Sequence, residues 1–220
     1  MKATIGTTMV SPTARASFLR LVVLGCGSVL AVGCAPVFSD LQSAKLVGRD
    51  RVEITPSYSS VSSSGEDGGH VQNELGLQMA TGLARSLDLR ARYVRVEGVN
   101  VVGFGPKVGV VKDKVALALP VGFAFGEDVD SAESWAIHPT LLLTAPVNRR
   151  VELNASTKAL IPFSEGDTLV AFNLGAGFGD LERWALRTEV GMLFNPGESG
   201  HFTQVSVGFT YFAGRRRKPD

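Results

Sequence analysis

Alternation with a period of two recurs about ten times between Arg51 and Ala213, and no stretch there keeps a 3.6-residue period. Successive side chains of a strand point to opposite faces, so each run acquires one apolar face and one different face. Along 184–194, Trp184, Leu186, Thr188, Val190, Met192 and Phe194 share one face. Ala185, Arg187, Glu189, Gly191 and Leu193 share the other. Thr168–Phe178 and Val115–Phe125 repeat the pattern, the latter with Ala116, Ala118, Pro120, Gly122 and Ala124 opposite its large apolar residues. The remaining predicted strands are Arg51–Ser62, His70–Thr81, Leu87–Val96, Val101–Val111, Trp135–Ala145, Val151–Pro162 and Phe202–Phe212.

The connections sort by charge. Odd-numbered ones hold Glu66 and Asp67; Glu97; Glu127, Asp128, Asp130 and Glu133; Glu165 and Asp167; and Glu198, with no Lys or Arg among them. Even-numbered ones are short and mixed to basic: around Arg85, Lys112-Asp113-Lys114, Asn148-Arg149-Arg150 and Asp180–Arg183. An up-and-down meander places all odd connections on one rim and all even ones on the other, and a miscounted strand would scramble the segregation. Short turns beside both termini and longer loops opposite is the pattern of membrane barrels.

Alternation alone leaves open which face is wet, because a soluble carrier barrel has its large apolar residues inside. Three features favour a membrane. The second face of 115–125 is made of small residues, as a narrow lumen requires. Tyr93, Phe125, Trp135, Trp184, Phe194 and Tyr211 lie near strand ends on the apolar face, as interfacial girdles do. The other face carries Glu53, Glu74, Asp88, Arg90, Arg92, Lys107, Glu152, Lys158, Arg187 and Glu189, five acids and five bases that could balance inside a lumen. The reading is an all-β, up-and-down antiparallel transmembrane β-barrel of about ten strands, each long enough to cross a bilayer at a tilt. Over 51–213 the chain resembles bacterial outer-membrane β-barrels of the porin-like type. Its last strand, Val205 to Phe212, is similar to their aromatic-ended assembly signal but is followed by eight more residues.

The N-terminus has the form of a secretory signal: Lys2, Arg15 and Arg20, no acid before Asp40, and an apolar run from Leu21 to Gly33 too short to span a membrane. Leu30-Ala31-Val32-Gly33-Cys34 resembles the bacterial lipobox, which implies cleavage before Cys34 and lipid on its sulfur. By resemblance to bacterial sorting rules, Ala35 in place of Asp after the cysteine points to the outer membrane. The expected division is a lipoprotein signal over 1–33, an anchor linker over 34–50 with a short helix candidate at 39–47, the barrel over 51–213 and a basic tail over 214–220. The linker would join a lipid on the periplasmic side to the first strand. The mature chain would hold no free thiol, since Cys26 leaves with the signal, and a catalytic cysteine is excluded.

Little else in the sequence suggests chemistry. Its 22 Lys and Arg balance 21 Asp and Glu, which argues against a nucleic-acid partner. The chain holds 25 glycines; Gly103-Phe104-Gly105 and Gly175–Gly179 lie within strands and do not open a helix as a nucleotide loop would, and inward glycines that let strands bend in a small barrel account for them. His138 falls on the lumen face, but no nucleophile motif accompanies it. No metal site, cofactor or catalytic residue is expected. The acidic rim (Glu127, Asp128, Asp130, Glu133) could share divalent cations with lipopolysaccharide, although a solvated, mutually repelling rim that keeps the loops soluble is the simpler account. The functional expectation is a structural barrel or a narrow pore for small solutes in contact with outer-membrane lipid. The alternatives are a periplasmic lipid-anchored barrel carrying an apolar ligand and, more weakly, a barrel hydrolase using His138.

Overall fold

The computed structural model describes residues 38–64, 69–126, 129, 135–164, 166–197 and 200–214. Twelve hydrogen-bonded stretches follow in order: β1 (Arg51–Ser64), β2 (His70–Ala84), β3 (Leu87–Val96), β4 (Val99–Val111), β5 (Val115–Ala118), β6 (Val121–Gly126), β7 (Trp135–Ile137), β8 (Thr140–Pro146), β9 (Val151–Pro162), β10 (Leu169–Phe178), β11 (Trp184–Phe194) and β12 (His201–Gly214). They make ten staves. β5 and β6 both pair with β4 and are halves of one stave, and β7 and β8 both pair with β9 and are halves of the next. Every pairing is antiparallel, and β1 pairs with β12 from Arg51↔Gly214 to Ser64↔His201, which closes the sheet. This is the up-and-down transmembrane barrel that the alternation predicts.

The two broken staves have a covalent cause. The sequence predicts continuous strands over 115–125 and 135–145, but Pro120 and Pro139 have no N–H to donate to the ladder. The neighbouring backbone bridges each gap: Leu119 N–H donates to the Pro106 carbonyl (3.0 Å), His138 N–H to that of Pro120 (2.8 Å) and Ala159 N–H to that of Pro139 (3.1 Å). Gly105 permits the resulting close approach, since a Cβ there would lie 2.4 Å from the Leu119 carbonyl oxygen.

The two faces are as unlike as parity requires. On β11, Ala185, Arg187, Glu189, Gly191 and Leu193 are buried while Trp184, Leu186, Thr188, Val190 and Met192 are exposed. Outside, an apolar belt runs round the barrel through Leu75, Leu77, Met79, Phe104, Leu117, Leu143, Leu153, Leu174 (70% exposed) and Val205. Large apolar side chains left in the open on every stave are costly in water and favourable in lipid. Aromatic pairs cap the belt at both ends. Trp184 stacks on Phe209 at 6.1 Å at one end, while Trp135 meets Phe123 at 4.7 Å and Phe172 meets Phe194 at 5.8 Å at the other.

The segment before β1 departs from expectation. Residues 38–48 form no helix and are not a linker outside the barrel; they run through the lumen, with a bend at Ala44–Lys45. A helix needs its N–H groups for carbonyls four residues back, and here strand side chains take them instead. Leu41 is held at φ 47°, a region that disfavours a bulky side chain. Gly48 (φ 83°) and Asp50 (φ 61°) turn the chain from its path in the lumen into β1.

Candidate functional site

The lumen is the polar centre of the molecule, and the chain's own N-terminal segment fills it. From Phe38 to Val47 the backbone is held by side chains projecting inward from many staves. Its carbonyls accept hydrogen bonds at Phe38 from Asn173 (2.9 Å) and Lys158 (3.3 Å), at Ser39 from Arg92 (2.5 Å) and at Asp40 from Gln78 (3.0 Å). Lys107 Nζ donates to the carbonyls of Ser43 (2.5 Å) and Lys45 (2.7 Å). Its N–H groups donate at Asp40 and Leu41 to the two carboxylate oxygens of Glu189 (2.7 and 2.9 Å), at Ala44 to Thr144 (2.7 Å) and at Val47 to Asp88 (2.8 Å). The barrel thus supplies the donors and acceptors that a sheet or helix would otherwise provide to this strand of backbone.

Two ion pairs lock the register. Asp40 meets Lys158 at 2.7 Å, both buried, and also accepts from Asn173 (3.1 Å) and Ser156. Lys45 meets Glu152 at 2.8 Å, and the second oxygen of Glu152 accepts from Arg187 at 2.9 Å. Arg90 and Glu53 form a two-pronged pair between strands at 3.0 and 3.2 Å. In a low-dielectric lumen an unpaired charge would be strongly unfavourable, so the pairing sets a single arrangement.

Apolar side chains of the segment fit where the wall is small. Phe38, fully buried, packs with Val61, Leu160, Ala171 and Leu193. Ala44 packs with Ala116, Ala118 and Leu142. Leu41 occupies the space at Gly208, where a Cβ would lie 3.1 Å from its Cδ1, and Leu46 that at Gly109, at 3.0 Å. At the root, Arg49 bridges Gly82, whose hypothetical Cβ would overlap the Gly48 carbonyl at 2.1 Å. Arg51 then lies over the Phe212 ring (5.0 Å) and pairs with Glu182 (3.3 Å). Inward glycines here make room for the segment, a role beyond the strand bending expected from sequence.

The structure places Glu53, Glu74, Asp88, Arg90, Arg92, Lys107, Glu152, Lys158, Arg187 and Glu189 on the lumen side, buried or half-buried. Arg90 with Glu53 and Arg187 with Glu152 pair within the wall, as does the looser Arg90–Asp88 contact at 3.9 Å. Arg92, Lys107, Lys158, Glu189, Asp88 and Glu152 also bind the segment, which charge balance among strands did not suggest. Glu74 takes a long bond from Gln72 (3.4 Å). Gln78, Thr144, Ser156 and Asn173 were missed, yet each shares the parity of a charged or inward neighbour on its own strand. Asp40 and Lys45 carried no periodic signal at all. Cys34 and the acidic rim residues Glu127, Asp128, Asp130 and Glu133 lie outside the described residues.

His138 faces inward beside Gly122, at the break in its stave. Its charged neighbours are Lys158, Arg92 and Asp40, and none of the described hydrogen bonds joins its ring to a hydroxyl. Ser64 and His201 do form a hydroxyl–imidazole contact at 2.7 Å, across the β1–β12 seam. That hydroxyl is also engaged with the backbone of the same residue, donating to the His201 carbonyl (2.9 Å) and accepting from its N–H (3.2 Å). It closes the end of the seam rather than standing ready as a nucleophile. Among the described residues the interior is charged and occupied by the segment, with no apolar chamber for a carried ligand.

No protein-family model matches the sequence, and no curated protein matches it. Among solved structures it is similar to an outer membrane channel from Pseudomonas putida F1, with 10% identity and a TM-score of 0.51 over 80% of this chain and 100% of that one. Weaker likenesses join it to the translocator domain of the autotransporter NalP from Neisseria meningitidis (8% identity, TM-score 0.43, 90% of this chain and 97% of that one). The KdgM porin follows at 10% identity and TM-score 0.42, over 72% and 98%. At such identities the likeness to the Pseudomonas protein speaks to fold alone.

Proposed function

We propose that this chain is a bacterial outer-membrane β-barrel lipoprotein, acylated at Cys34, whose barrel is closed at rest by residues 38–48. Its role is structural: it holds a segment of its own chain inside the membrane, with any permeation limited to small solutes that pass beside that segment. The observation that carries this reading is the set of buried and half-buried bonds that Lys158, Asn173, Arg92, Lys107, Glu189, Thr144 and Asp88 make with the segment's backbone. The lipobox and the apolar belt support the envelope location, and the polar lumen disfavours the soluble carrier of an apolar ligand.

Planar-bilayer recording tests it. The full chain should give no stable conductance, and deletion of residues 38–48 should give a steady one. Stable nanosiemens conductance from the intact chain would reject a closed lumen. Release of a Cys34→Ser variant from membranes by buffer alone would reject the membrane barrel itself.

A further inference from the structure

The direction in which the segment threads the barrel has a consequence for its N-terminal end. Val47 N–H donates to Asp88, the second residue of β3, and Arg49 bridges Gly82 near the end of β2, both at the rim where β1 begins. Phe38 sits at the opposite rim. Its partners Val61, Leu160, Ala171 and Leu193, with Phe202 beside them, come from the far ends of β1, β9, β10, β11 and β12. Eleven residues therefore traverse the barrel, from the rim of short turns to the rim of the longer acidic connections.

Chain reach decides where the preceding residues can lie. Three residues separate Cys34 from Phe38, and a fully extended chain covers at most about 14 Å over those four steps. From Val61 down to Arg51, ten residues of strand span about 33 Å, or about 25 Å of barrel height at a 40° tilt. Cys34 cannot return to the rim where β1 starts, by the lumen or by any other route. The expectation of a lipid on that side, sixteen residues from the first strand, fails on this distance.

We infer that the barrel carries its own N-terminus across the membrane: the chain leaves the lumen at the acidic, long-loop rim, and lipid on Cys34 is held in the leaflet on that side, the cell surface. This rests on the outer-membrane lipoprotein reading for the lipid and for the orientation of the rims. It also constrains assembly. Acyl chains cannot be drawn through a lumen in which Phe38 has no exposed surface and Leu41 and Leu46 abut the wall at glycines. The strands must therefore close around a segment already in place, at the β1–β12 seam.

Single-cysteine variants of the full chain in intact cells test the inference, because an acylated Cys34 thiol is unreactive. Val37→Cys reports the N-terminal exit, Asp167→Cys the long-loop rim and Arg149→Cys the short-turn rim. With a membrane-impermeant maleimide, Val37→Cys and Asp167→Cys should label in whole cells, and Arg149→Cys only after permeabilisation. Palmitate incorporation, lost in Cys34→Ser, should accompany this. Protection of Val37→Cys while Asp167→Cys reacts would overturn the threading and leave the lipoprotein reading intact. Absence of palmitate from the unaltered chain would overturn the lipid half of the inference together with the lipoprotein reading. Labelling of Arg149→Cys with protection of Asp167→Cys would overturn the orientation.

Discussion

Asp40 supplies the only negative charge of the lumen segment, and Asp40→Asn removes it with almost no change in shape. Its carboxylate lies 2.7 Å from the Lys158 ammonium, and both side chains are under 5% exposed. Breaking a buried pair by neutralising one partner costs about 3–5 kcal/mol, because the other charge stays behind. Here Lys158 keeps contacts to the carbonyls of Phe38 (3.3 Å) and Ser39 (3.5 Å), which places the cost at the lower end. At about 1.4 kcal/mol per factor of ten, the population with the segment displaced should rise roughly a hundredfold. Ser206, buried and facing the lumen, provides a reporter when replaced by Cys. If displacement is in fast equilibrium, its reaction rate with a small thiol reagent follows that population. Asp40→Asn should accelerate labelling about a hundredfold, and Lys158→Met should do so at least as strongly. The double variant should label more slowly than the product of the two effects, since neither charge is then left alone. A rate unchanged by Asp40→Asn, or strictly multiplicative effects in the double variant, would refute the argument that this pair holds the segment in place.

Two further perturbations probe the wall from either side. Gly208→Val should fill the space that Leu41 occupies, where even a Cβ would lie 3.1 Å from its Cδ1. Overpacking of this kind costs about 1–3 kcal/mol; bursts of channel opening should appear in bilayer recordings and be suppressed by adding Leu41→Ala. Leu174→Arg places a charge in the middle of the outer apolar belt, at a side chain 70% exposed. It should weaken folding into lipid bilayers by about 2–4 kcal/mol in a denaturant titration, without opening the lumen. An unaffected midpoint would mean that this face does not meet lipid.

How far the sequence could be read depends on whether a residue's environment is set by its own strand. Arg187 and Glu189 alternate with Leu186, Thr188 and Val190, and parity alone assigns them to the inner face of β11. The same reasoning locates Lys107 and Glu152, and it would have located Asn173 and Thr144 had uncharged polar residues been weighed with the charged ones. Pro120 and Pro139 stood within strands read as continuous, although the missing N–H, a property of the residue itself, would have marked both breaks. Ser39–Val47 resisted reading for the opposite reason. Its few apolar residues suited a short helix, and nothing local announced that Glu189, 149 positions away, would take the N–H of Asp40.

Alternation, strand length and the segregation of loop charge thus determined an up-and-down antiparallel barrel with two unlike faces, and the small residues, strand-end aromatics and balanced charges on those faces turned the apolar one to lipid and the charged one inward. The contents of that interior were decided only by tertiary structure. Phe38, Asp40, Leu41 and Lys45 find their partners on staves remote in sequence, and the glycines that admit them become a binding groove only when ten staves stand round a common axis. A strand's pattern encodes which way each side chain points; what it meets there depends on closure of the barrel, and that is why the same residues read as paired lumen charges alone and, once folded, as the grip on a threaded chain.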